Sequence, residues 1–341
     1  IISGGKMEKI KIIMDVDTGT DDAVALCMAM LADEFDLLGI TAVNGNVEVR
    51  CTTDNSLRVV ECCDKQGKVN VYKGADLPLV CTLNPHSPQS LEPIPFREGM
   101  NKEYVMHNFH LPLPEPTIHE SEKCATVFLI ETLLACEDHE VVLCPVGPMT
   151  NIALALRSCP DIVKKIKKIV LMGGGHDIVN TTSAAEFNIF ADPEAMEILL
   201  QSGIDITFVP LDATYHALIN ETQAKEILAI GTKPAKLIHD VVMERIEHYV
   251  ARDRDMKELR ATPVHDALAI MAVAHPEVLR DVRECHCDID ISNGTGSGRT
   301  IFDLRDRNVP VPPNCKVALS ADNEMFVNWV KDVLVKDASR R

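Results

Sequence analysis

The sequence has no excess of basic residues, no apolar run long enough to cross a membrane, and no pattern typical of a secretory signal. Its 341 residues carry 51 acidic and 34 basic side chains, a formal net charge of −17. A protein that follows nucleic-acid phosphates needs a basic surface, so this charge disfavours nucleic-acid binding. No apolar stretch approaches the roughly 18 residues of a membrane span. We therefore expect a cytoplasmic protein with neither a nucleic-acid nor a membrane partner.

Cysteine is plentiful, but its distribution does not indicate a disulfide framework or a zinc site. The 12 cysteines are scattered, and several, such as Cys27 and Cys144, lie inside apolar segments. Without an export signal, free thiols are expected. The run ECHC groups Cys285 and Cys287 around a histidine, but zinc needs further ligands at a matching spacing, and strand alternation explains the run.

Short apolar runs alternate with amphipathic helical stretches through the first half of the chain. KIKIIMDVD precedes DDAVALCMAMLA, for example, and EVVLCPVG precedes TNIALALRS. This pattern predicts an open, mostly parallel α/β sheet with helices on both faces, similar to a Rossmann fold. A few extra edge strands and a final helix are expected at the C-terminal end.

The chain is predicted to form a single domain over residues 7–341, because no linker or internal repeat divides it. Residues 1–6 precede the first methionine, Met7, and are interpreted as a leftover from recombinant expression. The stretch from Lys73 to Thr117 is rich in proline and has little periodicity. A loop of that length is often a functional lid or rim.

Four aspartates crowd the end of the first predicted strand, in the sequence IIMDVDTGTDDAVAL. Ligands of open α/β sheets bind beyond the carboxyl ends of the strands, where Asp15 and Asp17 lie. Asp21 and Asp22 open the next helix, where one carboxylate can serve as a cap. Four crowded carboxylates repel one another unless a cation neutralises them. Ca²⁺ accepts about 6–8 oxygen ligands, so the cluster predicts a site for a hard divalent ion.

Three further polar segments follow predicted strands or open a helix. Asn-Gly is most often a turn, a glycine run after a strand is usually a tight turn, and a His-Asp pair is often a helix cap. Together they supply amides, carboxylates and an imidazole without lysine or arginine. Such a set suits a neutral polyhydroxyl ligand such as a sugar and does not suit a phosphate. The residues concerned are Asn44, Asn46, Asn180, Glu186, Asn188, His265 and Asp266.

In this order, the motifs resemble those of the nucleoside hydrolases of the inosine–uridine type. They are the D-x-D-x-x-x-D-D element, PVGPMTNIA, IVLMGGG, AEFNIFADPEA and PVHDALA, and the resemblance spans about Lys9 to the final helix. It implies hydrolysis of the N-glycosidic bond of ribonucleosides, which releases ribose and a free purine or pyrimidine base. It also implies a bound Ca²⁺ and assembly as a homodimer or homotetramer.

Matching positions imply a role for each site residue. The ligands of Ca²⁺ would be Asp17, Asp22, Asp266 and the backbone carbonyl of Val146. Asp17 would also deprotonate a calcium-bound water, Asp15 would support the other aspartates, and His265 would be the acid for the leaving base. The transition state would be oxocarbenium-like, and nearby carboxylates would stabilise its charge. Substrate contacts would come from Asp21, Asn46, Met172, Asn180, Glu186, Asn188 and Tyr249.

The chain departs from the family pattern at several positions. Thr18 replaces a proline of the first motif, and Val146 replaces a threonine whose carbonyl is the ligand. Many members carry a His-Gly element in the long loop, whereas His107 and His110 cannot be aligned with it.

The residues that contact the base are the least defined by the sequence. Purine-specific members stack the base between tryptophans, but the single tryptophan here, Trp329, lies in the terminal helix. This disfavours the purine-specific branch. Phe96 and Phe109 are candidates for an apolar wall or for packing anchors, and base preference stays open.

Other interpretations of the acidic cluster were compared with the calcium site. An EF-hand starting at Asp15 fails, because its sixth and twelfth positions hold Thr20 and Leu26 instead of Gly and Glu. The alternative is a phosphatase of the haloacid-dehalogenase type, whose D-x-D-x-[TV] motif fails at Gly19. A third hypothesis is a catalytically weak sensor of nucleosides or sugars, against which the retained Asp17 speaks.

Overall fold

An eight-stranded sheet forms the centre of the protein in this computed structural model, which describes residues 8–80, 83, 107–251, 254–305 and 311–341. The strand order is β3-β2-β1-β4-β5-β6-β12-β9, and all neighbours are parallel except β12 and β9. The strands are β1 (Ile10–Val16), β2 (Phe35–Ala42), β3 (Val71–Lys73), β4 (Val141–Pro145), β5 (Ile166–Met172), β6 (Ile206–Val209), β9 (Leu279–Cys285) and β12 (Cys315–Ala321). The predicted open, mostly parallel sheet is confirmed.

Two small antiparallel pairs lie outside this sheet. One joins β7 (Leu218–Asn220) to β8 (Ala261–Pro263), and the other joins β10 (Cys287–Ile289) to β11 (Thr300–Phe302). At the C-terminal end, β9 forms an edge of the main sheet, whereas β12 lies inside it between β6 and β9. The predicted leftover 1–6, Phe96 and most of the proline-rich stretch lie outside the described residues.

Helices cover both faces of the main sheet. Successive residues of β1 show this, because Ile12, Met14 and Val16 pack in one core while Ile13 packs in the other. A strand buried on both faces is therefore apolar throughout. No helix within the described ranges is both long and apolar enough to cross a membrane. The helices are α1 (Thr20–Leu31), α2 (Val49–Cys62), α3 (Ala125–Leu134), α4 (Thr150–Ser158), α5 (Phe187–Ala191), α6 (Pro193–Leu200), α7 (Leu211–Thr214), α8 (Glu221–Leu228), α9 (Lys233–Val250), α10 (Arg254–Leu259), α11 (His265–Ala274) and α12 (Asn323–Arg340).

The strand order brings the motifs of the sequence to one edge of the sheet. β1 lies between β2 and β4, so that Asp15 is level with Thr41 on one side and Pro145 on the other. The segments that follow these strands therefore meet beyond their carboxyl ends. The order also reverses between β1 and β4, which is where open α/β sheets bind their ligands.

Phe208 joins the C-terminal hairpin, formed by β10 and β11, to the main sheet, and its substitution tests this attachment. Its fully buried ring on β6 meets the ring of Phe302 on β11 edge to face, with centroids 5.2 Å apart. We expect Phe208→Ala to lower the free energy of unfolding by about 3–5 kcal/mol, because it leaves a cavity between the hairpin and the main sheet. Urea denaturation measures this value.

The matched control is Val282→Ala on β9, where the side chain is exposed and a change under about 0.5 kcal/mol is expected. A loss below about 1 kcal/mol for Phe208→Ala would show that the site collapses around the missing ring.

Candidate metal and substrate site

Asp15 lies beneath the site and ties three elements together. Its buried Oδ1 accepts hydrogen bonds from Thr41 Oγ1 on β2, at 2.5 Å, and from Asn151 Nδ2 on α4, at 2.8 Å. Burial raises the pKa of Asp15 to about 7, against the opposing effect of these two hydrogen bonds. These contacts are consistent with the predicted supporting role.

Asp17 and Asp22 face each other across the turn between β1 and α1. Asp17 Oδ2 accepts from the backbone N–H of Asn46 at 2.7 Å. Asp22 accepts from the backbone N–H of Asp17 at 3.1 Å and of Gly19 at 2.9 Å, so that it also caps α1. Asn46 Nδ2 donates to Asp22 Oδ2 at 3.2 Å. Asp17 Oδ1 is buried and has no hydrogen-bond partner in the described part of the chain.

Two glycines let the backbone approach Asp17. A Cβ added at Gly45 would lie 2.1 Å from Asp17 Oδ2, and one at Gly147 would lie 2.8 Å from Oδ1. No real Cβ approaches oxygen this closely, so the carboxylate requires glycine on both sides. These contacts place the ends of β2 and β4 directly against Asp17.

Asp266, at the start of α11, completes a buried carboxylate cluster. One oxygen each of Asp21, Asp22 and Asp266 lies within 4.8 Å of the others, which is a spacing that can hold a metal ion. Burial first, and then the neighbouring aspartates, raise the pKa of Asp266 well above its usual range. Burial and Asp22 do the same to the pKa of Asp17. The cluster therefore favours ionisation only when positive charge is close.

Arg245 supplies one such charge. It was not predicted from the sequence, because the polar segments themselves contain neither lysine nor arginine. This fully buried residue of α9 donates from Nη1 to Asp21 Oδ1 at 3.0 Å and to Thr20 Oγ1 at 2.9 Å. Burial, the largest single effect, works to raise the pKa of Asp21, but Arg245, His107, His265 and a backbone hydrogen bond together outweigh it, and the pKa is lowered. The signal was that Arg245 falls on the buried stripe of α9, four residues before Tyr249.

The glycine-rich loop after β5 brings Glu186 and Asn188 to the same edge. Glu186 Oε2 accepts from the backbone N–H groups of Gly174 at 2.9 Å and Asn188 at 3.0 Å, and burial raises its pKa to about 7. Asn188 Nδ2 donates to the carbonyl oxygens of Val146 at 2.8 Å and Met172 at 3.2 Å. Hydrogen bonds therefore link Asn188 directly to Glu186, Val146 and Met172.

Asn180 is the predicted site residue that the structure leaves exposed. Its Oδ1 accepts from the backbone N–H of Phe187 at 3.0 Å, which is the residue before Asn188. It therefore lies at the solvent side of the loop, and its side chain makes no hydrogen bond to the buried carboxylates among the contacts of the described residues.

His265 is buried between two hydroxyl groups. Its Nδ1 lies 2.7 Å from Thr214 Oγ1, and its Nε2 lies 3.1 Å from the Tyr249 hydroxyl. Burial and then Arg245 lower the pKa of His265 to about 3. Tyr249 is itself buried beneath the guanidinium of Arg245, 5.7 Å from the ring centroid. The two predicted residues are therefore in direct contact.

His107, which could not be aligned from the sequence, lies against the first turn of α1. Its Nδ1 accepts from the backbone N–H of Thr20 at 3.2 Å, and burial lowers its pKa to about 4. His110, by contrast, pairs with Asp54 on α2 at 2.8 Å. The Pro-rich sequence around His107 has no periodicity from which its position could be predicted.

Thr18 compensates for the family proline that is missing at this position. Its hydroxyl lies 2.6 Å from Ser56 Oγ, and its carbonyl accepts from Asn55 Nδ2 at 2.9 Å. These bonds to α2 hold the turn after β1, which proline would otherwise restrict through its fixed φ. Asn55 also donates to the carbonyl of the half-buried Phe109 at 3.2 Å.

Comparisons with known proteins agree with this architecture. The family described as inosine-uridine preferring nucleoside hydrolase matches residues 12–328. The chain is 34% identical over 337 residues to a pyrimidine-specific ribonucleoside hydrolase, RihB, of Escherichia coli, covering 96% of this chain and 97% of that one. RihB of Shigella flexneri is 33% identical over 337 residues, with the same coverage.

Solved structures extend the similarity to the fold. A purine-preferring ribonucleoside hydrolase from Gardnerella vaginalis is similar with a TM-score of 0.83 and 29% identity, covering 97% of this chain and 100% of that one. An inosine-guanosine nucleoside hydrolase shares the fold with a TM-score of 0.78 at 24% identity, covering 96% and 99% of the two chains. The phosphatase alternative is therefore wrong, and the chain belongs to the inosine-uridine preferring nucleoside hydrolase family.

Proposed function

We propose that the chain hydrolyses ribonucleosides with a Ca²⁺ held by Asp17, Asp22, Asp266 and the carbonyl of Val146. The observation that carries this proposal is a buried carboxylate oxygen, Asp17 Oδ1, without a hydrogen-bond partner in the described residues, on a side chain next to the buried Asp22. A buried charge without a partner is costly, so a cation at this point would stabilise the fold.

The donor set fits calcium. Carboxylate and carbonyl oxygens select hard cations, and Ca²⁺ tolerates a larger and less regular set of them than Mg²⁺. Asp21 belongs to the same acidic cluster, but Arg245 already neutralises it. We therefore assign the ion to the other two members, Asp22 and Asp266, together with Asp17, which lies next to Asp22, and leave Asp21 to the substrate.

Asp17 is proposed as the general base. Asn46 fixes Oδ2 of Asp17, so Oδ1 would face the ion with one lone pair and accept a proton from the attacking water with the other. When bound, Ca²⁺ would orient that water and lower its pKa. Asp15, which bonds to two neighbouring elements, keeps the backbone of Asp17 in place.

The ribose would be held by groups that also stabilise developing positive charge. Arg245 keeps Asp21 ionised, so its carboxylate accepts hydrogen bonds from sugar hydroxyls. Glu186, Asn188 and Met172 line the side toward β5, with Asn46 on the other side and Asn180 at the rim. As the glycosidic bond breaks, the sugar becomes oxocarbenium-like, and the surrounding carboxylates stabilise it.

The leaving base would meet the hydrogen-bonded pair of His265 and Tyr249. Negative charge grows on the base as its bond to ribose breaks, so a donor at this position assists departure. We propose that His265, neutral because its pKa is lowered to about 3, assists as a hydrogen-bond donor to Tyr249, and that Tyr249 contacts the base. Assembly as a homodimer or homotetramer and a cytoplasmic location stay predictions from the sequence.

The proposed substrates are pyrimidine ribonucleosides, namely uridine and cytidine. The pyrimidine-specific relatives are 33–34% identical to this chain, whereas the purine-preferring structure is 29% identical. The absence of tryptophan outside α12 is in agreement with this preference.

Substrate preference can be measured directly. We expect kcat/KM for uridine to exceed that for inosine by at least about tenfold, a difference of about 1.4 kcal/mol in transition-state binding. The assay is ribose release from uridine, cytidine, inosine and guanosine under one set of conditions. Equal values, or a preference for inosine, would contradict the pyrimidine assignment but leave ribonucleoside hydrolysis in place.

Asp17→Asn tests the general base. The amide keeps the shape of the side chain but cannot take a proton, so we expect nearly all turnover to be lost while the fold survives. A variant that retains more than about a tenth of the wild-type kcat, a loss under about 1.4 kcal/mol, would contradict the role. Asp36→Asn, at an exposed position of β2, is the matched control and should leave kcat unchanged.

Calcium dependence is tested by chelation and by thermal melting. Removal of the ion should abolish ribose release and lower Tm, and added Ca²⁺ should restore both. Calcium at a hundred times its Kd stabilises the folded state by about 2.7 kcal/mol. In Asp266→Asn this gain should largely disappear, whereas Asp288→Asn at the surface should keep it. An enzyme that remains fully active with no bound metal would overturn the assignment.

A further inference from the structure

Thr214, the last residue of α7, touches the buried imidazole on the side away from Tyr249. We propose that Thr214 is a positioning residue, whose hydroxyl donates to Nδ1 of His265 and so fixes the proton of the imidazole on Nε2. This inference rests on the proposed function, because it concerns how the donor for the leaving base is oriented. Thr214 and His265 are 51 residues apart in the chain, and no motif in the sequence relates them.

The distances around the hydroxyl are compatible with this direction. Thr214 Oγ1 has a single proton and two acceptors within reach, His265 Nδ1 at 2.7 Å and the Leu211 carbonyl at 3.3 Å. The contact with Nδ1 is the shorter, and the Leu211 carbonyl already accepts the backbone N–H of Tyr215 at 3.0 Å. On this ground we assign the hydroxyl proton to Nδ1. In the reverse arrangement Nδ1 would donate to Oγ1 and the hydroxyl to Leu211, and the tautomer of His265 distinguishes the two.

Once Nδ1 accepts a hydrogen bond from Thr214, the position of the imidazole proton is determined. A neutral imidazole carries one proton, so that proton lies on Nε2. Nε2 is 3.1 Å from the Tyr249 oxygen, which is within the usual range for an N–H donor. His265 therefore donates to Tyr249.

The tautomer of His265 determines the direction in which the hydroxyl proton of Tyr249 points. Its oxygen accepts from His265, and its hydroxyl also hydrogen bonds to Tyr215, whose ring centroid lies 6.4 Å from that of Tyr249 and 5.8 Å from that of His265. The phenolic proton is thus directed away from the imidazole, toward Tyr215 or toward a leaving base. In the opposite tautomer, Nε2 would accept this proton and the tyrosine would have none to offer. Thr214 therefore sets the direction of both hydrogen bonds, so that Thr214 donates to His265 and His265 donates to Tyr249.

Two substitutions separate the hydroxyl from the shape of the side chain. Thr214→Val replaces the hydroxyl by a methyl group of similar size, while Thr214→Ser keeps the hydroxyl. Thr214 is buried, so Thr214→Val also reports the cost of packing, which thermal melting measures separately. Neither substitution touches a proposed calcium ligand.

The kinetic test compares two leaving groups. On uridine, we expect Thr214→Val to lower kcat by about tenfold to a hundredfold with little change in KM, because a donor to the leaving group contributes to kcat. On 4-nitrophenyl riboside, whose leaving group departs without a proton, the same variant should lose less than about threefold. Thr214→Ser should stay within about threefold of wild type on both substrates.

An equal loss on both substrates would overturn the proposal, because a merely structural role of Thr214 would slow every reaction at the site. The ¹⁵N NMR signals of His265 provide a readout that does not require activity. They should report a proton on Nε2 in wild type and in Thr214→Ser, and a mixture of tautomers in Thr214→Val. A proton on Nδ1 in wild type would also overturn the proposal. Absence of ribose release from every nucleoside would instead contradict the proposed function, and the NMR measurement would still decide the role of Thr214.

Discussion

The constraint on which the site depends is the concentration of buried carboxylates at the carboxyl end of β1. Asp15, Asp17, Asp21 and Asp22 lie within eight residues and are all buried. The fold offsets their repulsion with backbone N–H groups of the β1–α1 turn and the Asn46 segment, and with Arg245. These contacts leave Asp17 Oδ1 without a partner in the described residues. A cation bound there, as proposed, would contribute to the stability of this region as well as to its chemistry.

Arg245 influences the charge of two different parts of the site. On one side it helps to keep Asp21 ionised, which would make that carboxylate an acceptor for the proposed substrate. On the other side, after burial, it lowers the pKa of His265, which keeps the imidazole neutral. One buried guanidinium therefore favours a charged carboxylate at the proposed ribose end and an uncharged imidazole at the proposed leaving-group end of the same site. This separation suits the reaction, because positive charge develops on the sugar while negative charge develops on the base.

The sequence predicted those parts of the fold and site that local patterns encode. The strand–helix alternation predicted the parallel sheet, and the polar residues after the strands were expected at one edge because ligands bind there. His107 and Thr214 could not be found in this way, and the only signal for Arg245 was its place on the buried stripe of α9, since each is brought to the site by tertiary packing. Arg245 is 224 residues from Asp21 in the chain, and the pattern of α9 is that of any amphipathic helix. The inner position of β12 was also not predicted, because pairing between distant strands leaves no signal in either strand alone.

Hydrogen bonds connect the C-terminal hairpin of β10 and β11 to the site. Thr300 on β11 accepts from the backbone N–H of Gly175 at 3.0 Å and donates to the carbonyl of the same residue at 2.7 Å. The preceding Gly174 has φ +77°, a conformation that favours glycine, and its N–H donates to Glu186. The hairpin thus fixes the turn that orients Glu186, and Glu186 in turn caps the short helix carrying Asn188. A residue 125 positions beyond the glycine turn therefore helps to orient Glu186 and Asn188, which are proposed to contact the ribose.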